Sequence, residues 1–138
     1  MRQSEPVFVD TGAWIALALT KDPLHDRARA AWETLLAHGA RLSTSVPVVL
    51  ETFTFLDRNA ARDVALAWKD SLATVKRLQL LECSAADMTR AWAWFQRRDL
   101  HRLSAVDATS FVLMARRKIR LAFTFDHHFA AAGFALVD

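Results

Sequence analysis

Four carboxylates, Asp10, Glu51, Asp107 and Asp126, stand at positions a solvated surface charge explains poorly. Asp10 ends the apolar run Val7-Phe8-Val9 and is followed by Thr11 and Gly12. Asp126 follows the run LAFTF in the same way. Glu51 has Pro47, Val48, Thr54 and Phe55 as helical neighbours, a largely apolar face. Asp107 opens a segment whose inward stripe is Phe111 and Met114. Acids gathered in one cleft repel one another, and burying them without a counter-charge costs several kcal/mol. A divalent cation removes that conflict, and all-oxygen ligation selects Mg2+ or Mn2+ over zinc. The five histidines offer no spaced pair of the kind a zinc site uses.

Each acid also has a purely local explanation. Asp10 can cap a helix starting near Ala13, and Asp126 can cap the turn at His127-His128. Asp107 is the acid of an S-x-x-D capping box opened by Ser104. Glu51 can point outward. These explanations serve one acid at a time and give no reason for four.

The elements that must position them read as alternating strands and helices. Strands are expected over 5–10, 41–44, 77–82, 121–125 and 134–137. Helices are expected over 13–19, from Leu24 to Leu35, from a Ser45 cap with Pro47 in its first turn to about Asp57, and from Val64 to Val75. Ser84 and Asp87 form a second S-x-x-D cap, ahead of an inward stripe of Met88, Ala91, Trp92 and Phe95. Trp32, Trp68 and Trp92 are assigned to the core by helical spacing. Trp14 is divided between core and cleft, and Trp94, off its stripe, marks an interface. Strands separated by helices imply parallel pairing in an α/β fold, although the same stripes also fit a mainly helical domain with a small sheet. In an open α/β sheet, ligands sit beyond the carboxyl ends of the strands, where Asp10 and Asp126 fall.

The chain's 138 residues fit one domain, 1–138, and a hydrophobic content of 53% supports a sizeable core. The single cysteine, Cys83, excludes an internal disulfide and is expected to pack as a small hydrophobe. The opening MRQSEPVF lacks the apolar segment of a signal peptide, and no apolar run approaches a membrane span, so a soluble, cytoplasmic protein is expected. Eight basic residues fall between positions 90 and 120, against Asp99 and Asp107 alone. The net charge is +3, and the four acids account for −4 of it, so the rest of the chain carries +7. A positive body around an acidic cleft suits a polyanion. Arg97, Arg98, Arg102, Arg116 and Arg117 are the candidate phosphate contacts. His127 and His128 divide between a phosphate contact and a surface or capping role.

Four stretches, VFVDTGAWIALAL, STSVPVVLETF, LSAVDATSFVLMARR and LAFTFDHHFAAAGF, occur in an order that resembles the PIN-domain ribonucleases, the kind found as VapC toxins of type II toxin–antitoxin pairs. The resemblance spans nearly the whole chain. It implies a PIN-like three-layer α/β/α sandwich with a central parallel sheet, and Mg2+- or Mn2+-dependent hydrolysis of RNA phosphodiester bonds. The family's acidic quartet falls on Asp10, Glu51, Asp107 and Asp126. Its hydroxyls fall on Thr11, on Thr44 or Ser45, and on Thr124. A cognate antitoxin and a homodimer are the partners it implies. Some members carry a further acid a turn beyond the third; Thr109 and Ser110 occupy that region here, which leaves one or two ions open.

On this reading Asp10, Asp107 and Asp126 are direct or water-mediated metal ligands. Glu51 either ligates or accepts a proton from the attacking water. Thr11 and Thr124 orient ligands. The rival is a non-catalytic PIN-like module that binds RNA or protein, but clustered negative charge gains an RNA binder nothing. A phosphoacceptor receiver domain is disfavoured because Asp10 has no acidic neighbour and no lysine follows Lys118.

Overall fold

Val7, Phe8 and Val9 are all fully buried, although successive residues of a strand point to opposite faces. Such a strand needs cover on both sides, the setting of a parallel sheet between helical layers. The computed structural model, which describes residues 5–137, has that arrangement. Residues 1–4, which open the segment used in the leader argument, lie outside the described residues.

The first strand, β1 (Pro6–Val9), leads through α1 (Thr11–Ala18) and α2 (His25–Ala37) to β2 (Arg41–Ser45). Next come α3 (Val46–Asn59), α4 (Arg62–Ser71) and β3 (Leu78–Leu81). The chain then crosses back through α5 (Ala85–Ala91) and α6 (Ala105–Arg116) to β4 (Leu121–Phe123). A short α7 (His128–Ala131) ends at β5 (Ala135–Leu136). The five strands form one sheet in the order β3-β2-β1-β4-β5, and every pairing is parallel. The mainly helical alternative therefore falls away. Phe8 stands opposite Ser43 on one side and Ala122 on the other.

Strand order reverses at β1, so the crevice beyond the ends of β1 and β4 is the switch point where such sheets take ligands. Asp10 directly follows β1, and Asp126 lies three residues past β4. The ladder between them closes with the Asp10 N–H donating to Phe123 O at 3.0 Å. It stops there because Asp10 turns into α1. That is why β4 ends at Phe123 rather than at the expected Phe125.

Helix starts follow their sequence signals. Ser45 Oγ accepts from the Val48 N–H at 3.2 Å, with Pro47 in the first turn where it lacks no needed donor. Ser84 with Asp87, and Ser104 with Asp107, form capping boxes at α5 and α6. In α6 every residue from Asp107 to Met114 is buried, so this helix lies within its layer rather than on it. Trp14 belongs to the core. Its indole N–H donates to Thr44 Oγ1 at 3.1 Å, and that hydroxyl donates to Val9 O at 2.9 Å. Its ring packs edge-on to Trp32 and Trp68, at 5.5 and 5.9 Å.

The stripe assigned to the segment after Ser84 is corrected. Met88, Trp92 and Phe95 are exposed, Trp92 by 50%, and Trp94 turns inward onto Phe111 at 4.9 Å. The α-helix stops at Ala91, and Trp92–Gln96 is a 3-10 helix. In 3-10 geometry residues i and i+3 eclipse, so Trp94 lies above the buried Ala91 and Trp92 rotates into solvent. Trp94→Ala is therefore expected to destabilise the fold by about 2–3 kcal/mol, and Trp92→Ala by under ~0.5 kcal/mol. Urea denaturation of the two variants checks the difference.

Candidate metal centre

Asp10 occupies the N-cap position of α1, yet its side chain makes no capping bond. It is 3% exposed. Oδ2 accepts from the Thr124 hydroxyl at 2.9 Å, and Oδ1 is buried with no partner. Burial first, then the charges of Asp107 and Glu51, push its pKa up to about 7. Only hydrogen bonds from Thr124 and the Thr11 backbone oppose that rise. The local explanation for Asp10 fails, and its charge is left uncompensated.

Thr124 ties this acid to the next. The Asp126 N–H donates to Thr124 Oγ1 at 3.0 Å, while the same hydroxyl donates to Asp10. Asp126 is half-buried and accepts through Oδ1 from the His128 N–H at 2.9 Å, which caps the turn as expected. Asp107 donates its N–H to Ser104 Oγ at 3.0 Å; the return bond to its Oδ2 is long, at 3.5 Å. Burial and then Asp126, with Glu51 adding to them, push Asp107 up to about 6. Glu51 is half-buried on α3 and raises both Asp10 and Asp107. The four acids thus share one electrostatic neighbourhood. Of the neighbours of Glu51, Val48 is fully buried in the core, whereas Pro47, Thr54 and Phe55 line an open groove with the adjacent Leu50, and Phe55 and Leu50 are exposed.

A residue that the sequence left between capping and phosphate binding sits in this group. His128 is 8% exposed. Its Nδ1 is 2.9 Å from Asp126 Oδ1, within ion-pair distance. Its Nε2 lies 2.6 Å from His101 O. Burial disfavours the imidazolium, but Asp126, the His101 carbonyl and Asp107 outweigh it, so the His128 pKa is raised. Asp107, Asp126 and His128 each offer one donor atom, all within 4.8 Å of one another. The available signal was its place two residues after the acid, at the start of a short helix.

Four buried side-chain polar atoms lack a partner among the described residues. Three of them, Asp10 Oδ1, Thr11 Oγ1 and His128 Nδ1, belong to residues of this mouth; the fourth is Trp68 Nε1. Unpaired buried polar atoms beside clustered carboxylates suit the binding of a cation. By contrast Thr44 is bound to Trp14 and Val9, and Ser45 to the α3 cap, so neither hydroxyl is free.

The arginines separate into two groups. The segment carrying Arg97, Arg98 and Arg102 borders the centre through the His101–His128 contact. Arg97 is paired with Asp99 at 2.6 Å, leans on the Trp94 ring and donates to Ala131 O. Arg98 and Arg102 are exposed and form no ion pair among the described residues. Arg102 holds a left-handed φ of 61°. Arg116 and Arg117 end α6, ~14 Å along its axis from Asp107. Arg116 is bound at both ends of its fork by the buried Asp87, at 3.1 and 2.9 Å.

The PIN domain model matches residues 7–135. The chain is 36% identical over 132 residues to the 23S rRNA-specific endonuclease VapC20 of Mycobacterium tuberculosis, covering 95% of this chain and 97% of that protein. It superposes on the crystal structure of that VapC20, described as a sarcin-ricin loop cleaving toxin, with a TM-score of 0.82 and 33% identity over 94% and 96% of the two chains. The VapBC2 complex of Rickettsia felis bound to promoter DNA shares the fold alone, with a TM-score of 0.69 and 14% identity over 95% and 96%. Among the described residues no helix is long and apolar enough to cross a membrane.

The raised acids set a pH dependence. Asp10 and Asp107 titrate higher folded than unfolded, so from about pH 4 to pH 7 the metal-free native state holds protons the unfolded chain has released. Their contribution is full near pH 4 and is lost as pH rises through about 7. In EDTA, melting temperature is expected to drop by roughly 5–10 °C between pH 5 and 8. Asp10→Asn should flatten that drop. Mn2+ should restore stability at pH 8 in the wild type and far less in the variant, as differential scanning fluorimetry would read.

Proposed function

The chain belongs to the PIN-domain family, and from that premise we propose that it is a divalent-metal-dependent endoribonuclease acting as the toxin of a toxin–antitoxin pair. The observation that carries the reading is the buried Asp10 carboxylate with an unpartnered oxygen, sharing its surroundings with three further acids. Mg2+ or Mn2+ supplies, when bound, a Lewis acid that offsets phosphodiester charge and lowers the pKa of an attacking water. Asp10, Asp107 and Asp126 are the residues to hold it, with Glu51 as a further ligand or as the base that takes the water's proton. Thr124, bonded to both Asp10 and the Asp126 backbone, fixes which oxygens of Asp10 remain available. Thr11 has a free hydroxyl beside the same acid.

Arg98 and Arg102 are proposed to take substrate phosphates on the segment bordering the acids; Arg97, bound to Asp99, orders that segment. Arg116 and Arg117 serve only an RNA long enough to run along α6. Likeness to VapC20 makes 23S rRNA the first substrate to test. An antitoxin partner follows from the likeness to VapC20, which is described as a toxin. The exposed Leu50, Phe55 and Met88, which line one groove, support a face covered by protein, an antitoxin or a second copy. Cytoplasmic action follows from the substrate.

Wild-type protein with Mg2+ or Mn2+ is expected to cut 23S rRNA at a defined site, and EDTA to stop it. Asp10→Asn and Asp126→Asn should lower the rate at least ~1,000-fold while remaining folded by circular dichroism. Uncut RNA under every metal, or cutting unchanged in both variants, overturns the reading. The Arg98→Ala, Arg102→Ala double variant should flatten the slope of log affinity against log salt by ~1.4 for single-stranded RNA.

A further inference from the structure

The acids of the centre are joined by a nitrogen. We propose that Nδ1 of His128 binds the cation directly, giving a mixed carboxylate–imidazole centre that prefers Mn2+ or another first-row dication to Mg2+. The inference rests on the metal reading above and adds to it a ligand and a selectivity.

Three observations converge on Nδ1. First, it is buried, points into the carboxylate group and has no hydrogen-bond partner. Second, its ring is fixed from the other side. A carbonyl oxygen only accepts, so at 2.6 Å from His101 O it is Nε2 that carries a proton. With Nε2 holding its proton, a ring that yields its other proton to a cation presents its lone pair at Nδ1. Support of one ring nitrogen by a backbone carbonyl is the arrangement that metal-bound imidazoles use.

Third, Nδ1 and Asp126 Oδ1 are 2.9 Å apart. Two acceptors at that distance repel unless something positive lies against both. Ligands ~2.1 Å from one octahedral ion and at right angles to each other are ~3.0 Å apart. Asp107 supplies a third atom within 4.8 Å of both. A proton shared by Nδ1 and Asp126 would also bridge the pair, and the nitrogen modulation below distinguishes it from the cation.

The selectivity follows from the nitrogen. Mg2+ keeps oxygen ligands and water, whereas imidazole favours first-row transition ions. His128 also anchors the arginine-bearing segment, since its other nitrogen is bound to His101, next to Arg102. Losing the cation would loosen the ring that this segment leans on.

Metal-free full-length protein titrated with Mn2+ alone, followed by pulsed EPR, tests the assignment. Expected is nuclear modulation from one directly bound 14N, converted to the 15N pattern in protein labelled with 15N-histidine and absent in His128→Gln. Competition should show the Mn2+-over-Mg2+ affinity ratio falling at least ~10-fold in His128→Gln. If that variant does not fold, the labelled wild type still decides. Mn2+ that binds, is lost in Asp126→Asn and shows no nitrogen modulation overturns the His128 assignment and leaves the nuclease reading standing. Mn2+ that does not bind at all overturns both.

Discussion

A buried carboxylate with an unpartnered oxygen is tolerated only beside a proton or a cation, and Asp10 is such a group. The rest of the centre is arranged around that constraint. Thr124 takes one oxygen of Asp10 and leaves the other. Asp107 and Glu51 add negative charge rather than relieving it. Without a metal the centre holds protons at pH values where carboxyls are normally ionised; with a metal those protons are displaced. The same charge that weakens the empty fold is what would make it bind a dication.

The sheet explains how residues so far apart in sequence share one mouth. β1 is the central strand and the point at which strand order reverses, so its end and that of β4 open onto one crevice. Asp10 and Asp126 are delivered there by chain exits from those two strands. Asp107 arrives on the first turn and Glu51 on the second turn of helices whose starts are fixed by Ser104 and Ser45. Two of the acids serve twice. Asp107 and Asp126 cap a helix or turn and also face the cluster, so local stability and the site reinforce each other. The local explanations were right for them and wrong for Asp10.

Much of this was legible in sequence because it is written in short-range chemistry. An apolar run ended by an acid, an S-x-x-D box and a serine before V-P-V each set one boundary through nearest-neighbour bonds. The parallel three-layer sandwich came with the family resemblance and not from periodicity, and the strand order is set by pairings between distant segments. Other features depend on three-dimensional partners. Trp92 and Trp94 exchanged faces because the helix tightened after Ala91, which a 3.6-residue stripe cannot anticipate. Arg116 is committed to Asp87, 29 positions away. Thr44 is occupied by Trp14 across a similar distance. His128 looked like a capping residue because its ring's two contacts, at His101 O and in the acid cluster, are invisible in a linear reading.

The account stands on a divalent cation among Asp10, Asp107 and Asp126. The most direct measurement is an anomalous difference map from crystals grown with Mn2+, collected on both sides of the manganese edge. A peak enclosed by these carboxylates is the result predicted here. A metal-saturated crystal with no peak at that mouth, from protein that still cuts RNA, would contradict the central claim.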